Sequence, residues 1–288
     1  MAQTWLQLSI RAAKPEIELL SNFAFERGSP GVVLKHGRVD AFFLSSRHDA
    51  ALRREVQRFV SAHSPQRIHA RKPRLKWKVI KQQDWEHSWK RFIRPGRVGK
   101  TFWVTPPWLE PPNFRRRQVI TIEPGMAFGT GTHSTTRSCL ELLELVAGKI
   151  SRKKWRAMDV GTGSGILAIA LAMLGATEIL AIDNDPVALK VARENIRANG
   201  VADKISLSVE KIGAMKRKFT VVVANLTAET IIELAQPLQA RVAPRGYIVV
   251  SGILAHQASR VIRCFVKTFC LLKRQRKREW VSLAWQRI

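Results

Sequence analysis

A strand-like run, Ala157–Val160, leads into Asp159-Val160-Gly161-Thr162-Gly163-Ser164-Gly165, and a second run ends at Asp183, twenty-two residues after Gly161. Glycines between a strand and a helix let a ligand approach the backbone closely. An acid at the end of the next strand can accept both ribose hydroxyls of a nucleoside. The spacing is G-x-G-x-G, not the G-x-G-x-x-G of a nicotinamide dinucleotide site, and no Lys-Ser/Thr follows as in a phosphate-gripping loop. A nucleoside ligand without phosphate fits this turn: S-adenosyl-L-methionine (AdoMet), whose amino-acid part can lie against the glycines. A third run, Phe219–Ala224, delivers Asn225-Leu226 at its carboxyl end, the edge where ligands of such sheets sit. The Asn225 amide oxygen can accept a hydrogen bond from a substrate amine. Leu226-Thr227 follows it, with no Pro-Pro-aromatic to stack on a planar base, which lowers the nucleic-acid reading.

Methyl transfer from a sulfonium is a direct displacement and needs a nucleophile with a free lone pair. A lysine amine has a reference pKa of about 10.4, so presenting it neutral at pH 7 costs about 4–5 kcal/mol unless the site lowers that pKa. Burial does so, because desolvation disfavours the ammonium. A neutral acceptor such as Asn225 then orients the amine without restabilising its charge much. Positioning supplies most of the remaining catalysis, and no dedicated general base is evident.

The elements that must hold these residues alternate. Strands are expected at Ala157–Val160, Ile179–Ile182, Ile205–Val209, Phe219–Ala224 and Tyr247–Ser251, and helices near 165–174, 186–199, 228–242 and 255–267. That order is a doubly wound parallel α/β sheet. The tail, Leu271–Arg278 and Glu279–Ile288, suits an antiparallel pair at the sheet edge. Upstream, residues 4–10, 14–27, 32–34, 39–44, 49–62 and 75–80 read as strand, helix, strand, strand, helix, strand, the split pattern of a ferredoxin-like α+β domain. Between the two lies a stretch rich in Trp and Pro, with Trp85, Trp89, Trp103, Pro106-Pro107-Trp108 and Pro111-Pro112. Prolines disfavour regular helix and central strand there. The domains expected are therefore 1–82 (ferredoxin-like), 83–118 (linker, with a helix near 84–91) and 119–288 (α/β).

Composition excludes some classes. No apolar run approaches the roughly 18–20 residues needed to cross a bilayer, and the first residues lack the apolar core of a signal peptide, so a cytoplasmic protein is expected. The three cysteines, Cys139, Cys264 and Cys270, and the seven histidines match no metal-ligand spacing; no metal is expected. The formal charge is +27, from 49 Lys plus Arg against 22 Asp plus Glu. It is spread over Arg71-Lys72-Pro73-Arg74, Arg115-Arg116-Arg117, Arg152-Lys153-Lys154 and Lys273-Arg274-Gln275-Arg276-Lys277-Arg278. Such an excess attracts polyanions, ribosomal RNA among them, or reflects solvated faces of a basic proteome.

The stretch Pro124-Gly125-Met126-Ala127-Phe128-Gly129-Thr130-Gly131-Thr132-His133-Ser134-Thr135-Thr136 resembles the signature of the ribosomal protein methyltransferase family PrmA, which modifies large-subunit ribosomal protein eleven. The glycine turn, Ala181-Ile182-Asp183-Asn184-Asp185-Pro186, Ala224-Asn225-Leu226, Ser251-Gly252-Ile253-Leu254, Asp84-Trp85 with Trp89, and Pro106-Pro107-Trp108 are similar too. The resemblance covers nearly the whole chain. It implies a class I AdoMet-dependent methyltransferase domain behind a small substrate-recognition domain on a flexible linker. It also implies methylation of lysine side chains and the amino terminus of that ribosomal protein. Cofactor contacts would fall on Thr136, Gly161, Asp183 and Asn225, with Asp159 and Gly163 lining the same pocket and Asn225 orienting the amine. The stretch Phe128–Thr136 would fold over the cofactor, Ser134 or Thr135 capping the next helix. Ser134 stands where the family often has Pro, and Thr162 where it often has Cys. Glu210 stands near the acid usual after the third strand. Rival readings are another protein lysine or an RNA as methyl acceptor, and a basic RNA-binding module on a methyltransferase fold.

Overall fold

The computed structural model describes residues 4–11, 14–35, 37–45, 49–63, 75–81, 94–110, 117–123, 133–151 and 154–288. Two compact units divide the chain, one formed mainly by residues up to Arg94 and the other from Pro95 onward. The sequence expectations for Trp85, Trp89, a helix near 84–91 and residues 124–132 of the 124–136 signature lie outside the described residues.

The first unit runs β1 (Thr4–Arg11), α1 (Lys14–Glu26), β2 (Val32–Lys35), β3 (Arg38–Leu44), α2 (Asp49–His63) and β4 (Leu75–Lys81). Its antiparallel sheet has the order β2-β3-β1-β4, the ferredoxin-like arrangement read from the sequence. Alternation along β1 and β3 puts Leu8, Ile10, Val39, Ala41 and Phe43 on the face that packs against Leu20, Phe23, Val56 and Val60 of the two helices. The Phe23 and Phe59 rings stack with centroids 3.9 Å apart.

The second unit begins with β5 (Gly96–Val98), β6 (Phe102–Thr105) and β7 (Gln118–Thr121), a separate three-stranded sheet, followed by α3 (Ser134–Ala147). The alternating region follows: β8 (Arg156–Val160), α4 (Ile166–Met173), β9 (Glu178–Ile182), α5 (Pro186–Ala198), β10 (Ile205–Ser208), β11 (Phe219–Asn225), α6 (Ala228–Glu233), α7 (Ala235–Arg241), β12 (Val242–Leu254), α8 (Ala258–Phe265), β13 (Phe269–Lys277) and β14 (Trp280–Arg287). The central sheet has the order β10-β9-β8-β11-β12-β14-β13. Its first five strands are parallel, and β14 and β13 close one side antiparallel, as the tail pattern suggested.

Period-two alternation sorts the sheet into two cores. Ala157, Val221, Val223 and Val249 face α3, α4 and α5; Met158, Val222, Ile248 and Trp285 face α6, α7 and α8. Helix α4 is apolar all round because it is buried on every side.

Two local readings are corrected. The helix expected over 228–242 is two helices that break at Leu234. Pro237 has no N–H to offer the carbonyl four residues back, so the first helix stops and a new turn starts. The fifth strand is thirteen residues long rather than five, because Arg245 and Gly246 sit in a bulge and the chain pairs on both sides of it. Within the stretch expected as linker, β5 and β6 are regular strands whose Val98, Phe102 and Val104 join the core under α3.

Candidate functional site

The order reversal of the central sheet lies beside β8, whose neighbours β9 and β11 are reached by chains running in opposite directions. A crevice outside the carboxyl ends of such strands is where open α/β sheets take ligands. Three of the residues named from sequence stand at those ends: Asp159 on β8, Asp183 after β9 and Asn225 on β11. Parallel pairing sets Asp159 level with Val223 and Asn225 level with Ser251.

The glycine turn is held to β9 by its backbone. The N–H groups of Gly161 and Thr162 both donate to the Ile182 carbonyl, at 2.9 and 3.0 Å. Gly161 has φ 72, a left-handed conformation that favours glycine. A Cβ there would also collide with Leu226 Cδ2. Gly252, at φ 87 on β12, leaves no room for a Cβ against the Leu226 backbone. Leu226 is thus clasped between two glycines, and that clasp holds the Asn225-Leu226 turn against the β8 turn.

Asp159 is fully buried. Its Oδ2 accepts from Thr162 Oγ1 at 2.7 Å and from the Ala168 N–H at 3.2 Å, while Oδ1 has no partner. Burial pushes its pKa up to about 7, opposed by those two hydrogen bonds and helped by the charge of Asp183. Asp183 is oriented by two backbone N–H groups, Gly163 at 2.8 Å on Oδ2 and Asp185 at 3.0 Å on Oδ1. Asp185 in turn caps α5 through the Val187 N–H.

Thr136, in the first turn of α3, is fully buried, and its Oγ1 has no partner. The Asn225 Oδ1 is likewise buried and unpartnered. Buried polar atoms are nearly always hydrogen-bonded, so orphaned oxygens on Asp159, Thr136 and Asn225 need an explanation, and a bound polar ligand is one. Cys139, on the same helix, has its thiol pushed up to about 12 by burial, against a hydrogen bond to Ser251 and with the Asp159 charge adding to the rise. It stays a neutral thiol.

The cap of α3 differs from the sequence reading. His133 is the N-cap, its Nδ1 accepting from the Thr135 N–H at 3.3 Å, rather than Ser134 or Thr135. An imidazole nitrogen can take the orphan donor of the first turn as a hydroxyl would, which moves the cap one residue upstream. The His133 ring meets Trp280 edge-on at 5.4 Å. Glu210 lies beyond the end of β10, exposed, its N–H on Ser208 Oγ.

Sequence reasoning missed Asn195 and Asn199. Asn195 is buried on α5; its Nδ2 donates to the Ser164 carbonyl of the glycine turn at 2.8 Å and its Oδ1 accepts from the Glu123 N–H at 3.1 Å. Asn199, one turn on, pairs with both the N–H and the carbonyl of Thr121, at 2.8 and 2.6 Å. Together they tie the chain leaving β7, just ahead of the 124–136 signature, to the glycine turn. A polar residue on the apolar stripe of Ala188, Ala192 and Ile196 was the available signal.

Among the described residues no group of three His, Cys, Asp or Glu could hold a metal ion. None of the described helices is long and apolar enough to cross a membrane.

Known proteins resemble this chain in sequence and in structure. A family model described as Ribosomal protein L11 methyltransferase (PrmA) matches residues 4–288. A Citrifermentans bemidjiense protein named Ribosomal protein L11 methyltransferase is 35% identical over 308 residues, covering 100% of this chain and 99% of its own. A Geobacter metallireducens protein of the same name is 35% identical over 309 residues, covering 99% of each. A solved structure, the ribosomal protein L11 methylase of Lactobacillus delbrueckii subsp. bulgaricus, is similar with a TM-score of 0.61 at 31% identity, over 68% of this chain and 99% of that one.

Proposed function

Because the chain belongs to the ribosomal protein L11 methyltransferase family, we propose that it transfers methyl groups from AdoMet to amines of ribosomal protein L11, on lysine side chains, the amino terminus or both. The chain is a methyltransferase with a class I methyltransferase fold; the cofactor, the acceptor atoms and the residue roles are the proposal. The observation that carries it is the set of orphaned buried oxygens on Asp159, Thr136 and Asn225 beside the turn of Gly161.

These residues fit AdoMet. Thr136, Asp159, Gly161, Gly163, Asp183 and Asn225 would hold it. When bound, it supplies a methyl group on a sulfonium, a strong electrophile. Asp183 is fixed by two N–H groups yet keeps lone pairs free on both oxygens, suited to a ribose diol. Asp159, poised near neutrality, is an acid that a cationic ligand would hold in its charged form. Asn225 offers a neutral oxygen to an incoming amine. It orients the lone pair and stabilises the ammonium less than a carboxylate would, which matters because a charged amine cannot react. The first unit would recognise the substrate protein, and the reaction would take place in the cytoplasm.

The test is to incubate the protein with AdoMet and free ribosomal protein L11 and weigh the intact product. Mass gains in methyl steps, absent with Asp183→Ala, are expected, and peptide mapping then names the amines. No gain, despite thermal stabilisation by AdoMet, would defeat the proposed substrate while keeping the cofactor.

A further inference from the structure

The tract Lys273-Arg274-Gln275-Arg276-Lys277-Arg278 takes no part in the site above. It forms the outer half of β13, the last strand of the seven-stranded sheet, and enters the turn to β14. Among the described residues, no strand pairs with its outer edge. Neighbouring side chains of a strand point to opposite faces. Gln275 and Lys277 face α3, where both reach the Glu141 carboxylate. Arg274 and Arg276 stand opposite Leu283 and Val281, and so lie on the face of α6, α7 and α8. Lys273, Arg274 and Arg276 are exposed, and Lys273 and Arg274 make no ion pair among the described residues.

The tip of the hairpin adds an independent observation. Arg278 has φ 56, in the left-handed region that a non-glycine residue seldom adopts. Glycine would sit there with less strain. Arg276 Nε donates to the Arg278 carbonyl at 2.9 Å, which holds the two arginines together at the tip. Guarding a sheet edge against other strands needs only a charge or two. It requires neither cations on both faces nor an arginine at a strained tip.

We propose that the β13–β14 hairpin is a cationic rim that binds the phosphate backbone of RNA. Guanidinium groups meet phosphate through paired planar donors, and three of the five cations in the tract are arginines. Cations directed to both faces and off the tip of one strand suit a chain of phosphates running round an edge. A flat anionic membrane would be met by one face alone. The choice of RNA among polyanions rests on the methylation reading, which places the protein beside ribosomal components; the rim itself does not.

The experiment is fluorescence anisotropy of a labelled single-stranded RNA oligonucleotide with the full chain, over a series of potassium chloride concentrations. Each phosphate contact contributes a slope of about −0.7 to log affinity against log salt. Replacing Lys273→Gln, Arg274→Gln, Arg276→Gln and Arg278→Gly together should therefore make the slope shallower by about 3 and weaken binding about tenfold or more at moderate salt. A control variant removes four exposed cations elsewhere, Arg54→Gln, Arg58→Gln, Lys216→Gln and Lys218→Gln. It should keep most of the slope. Equal losses in both variants, or no change in the hairpin variant, or no binding by the unaltered chain, overturns the proposal. Arg274→Gln alone, at an exposed side chain with no ion pair among the described residues, should weaken RNA binding while holding the melting temperature, which separates a lost contact from a damaged fold. The hairpin variant should still methylate free ribosomal protein L11. Failure of the unaltered chain in that assay counts against the methylation reading, not the rim.

Discussion

Leu226 occupies the space that a side chain on Gly161 would need, so the turn after β8 and the turn after β11 are built to each other's shape. Gly161→Ala introduces both a left-handed alanine, costing roughly 1–2 kcal/mol, and an overpacked contact, costing about 1–3 kcal/mol. Adding Leu226→Ala should relieve the second cost and leave the first. Urea denaturation of the two single variants and the double should give a loss smaller than the sum, by about 1 kcal/mol or more. Strict additivity would mean that the two turns do not constrain one another.

Asn195 should be sensitive to the loss of either end of its amide. Asn195→Ala leaves the Ser164 carbonyl and the Glu123 N–H without it and should cost about 1–3 kcal/mol. Asn195→Asp retains an acceptor for Glu123 but sets a carboxylate against a carbonyl oxygen. Protonation restores a donor there, so the gap between this variant and the unaltered protein should narrow as pH falls. A gap that stays constant between neutral and acid pH would contradict the assigned bonds.

Asp159 gives the ligand-free protein an unusual pH dependence. Its folded pKa is raised, to about 7. The folded state therefore holds a proton that the unfolded chain has already released. The stabilisation is complete below the ordinary carboxylate value and is lost as pH rises toward about 7, with a slope of up to about 1.4 kcal/mol per pH unit. Asp159→Asn should flatten that part of the profile of stability against pH, measured by denaturation across the window. An unchanged profile would show that this acid is not the titrating group.

Helix α3 is anchored on both flanks by acids one turn apart. Glu144 accepts the N–H groups of Lys100 and Thr101 at 2.9 and 2.8 Å, which fixes the β5–β6 turn. Glu141 takes Lys277 at 2.6 Å, together with Gln275. Burial pushes the Glu141 pKa up, but the bonds from Lys277 and Gln275 and the charges of Lys277 and Arg137 outweigh it, and the net shift is down. Its contribution is present above the ordinary carboxylate value and is lost as pH falls through the lowered one. The pair is partly solvated, so Glu141→Gln should cost within about 1 kcal/mol. Glu144→Ala, which leaves two backbone donors without the carboxylate, should cost more, about 1–3 kcal/mol. Thermal melts of the two variants at neutral pH check the order.

The parallel strands were legible because they are short β-branched runs such as Val221-Val222-Val223, closed by Gly, Asp or Asn. The ends that carry Asp159, Asp183 and Asn225 followed from them. The β5–β7 sheet was not legible. Its strands are three or four residues long, and Phe102-Trp103-Val104 is buried on both faces, so it shows no alternation. The surrounding prolines gave the louder signal. Asn195 and Asn199 were hidden for another reason: the backbone groups of Glu123 and Thr121 that they hold lie more than seventy residues away in the chain, and a polar residue on an apolar stripe does not name its partner. The cap of α3 was misplaced because Ser and Thr are the usual caps, whereas the donor is taken by an imidazole.

The core beneath α3 also determines where relatives could exchange parts. Val98, Phe102 and Val104 share one core with Leu140, Leu143 and Ile169, so the catalytic half of the molecule starts before β5 and not at the signature. A chimaera joined ahead of Pro95 would carry that core whole from a single parent. One joined near residue 119 would splice two parents through the middle of it, bringing β5 and β6 from one lineage to a helix shaped by another. Recombination between members of this family should therefore tolerate crossovers on the amino-terminal side of Pro95 and reject them over the next two dozen residues.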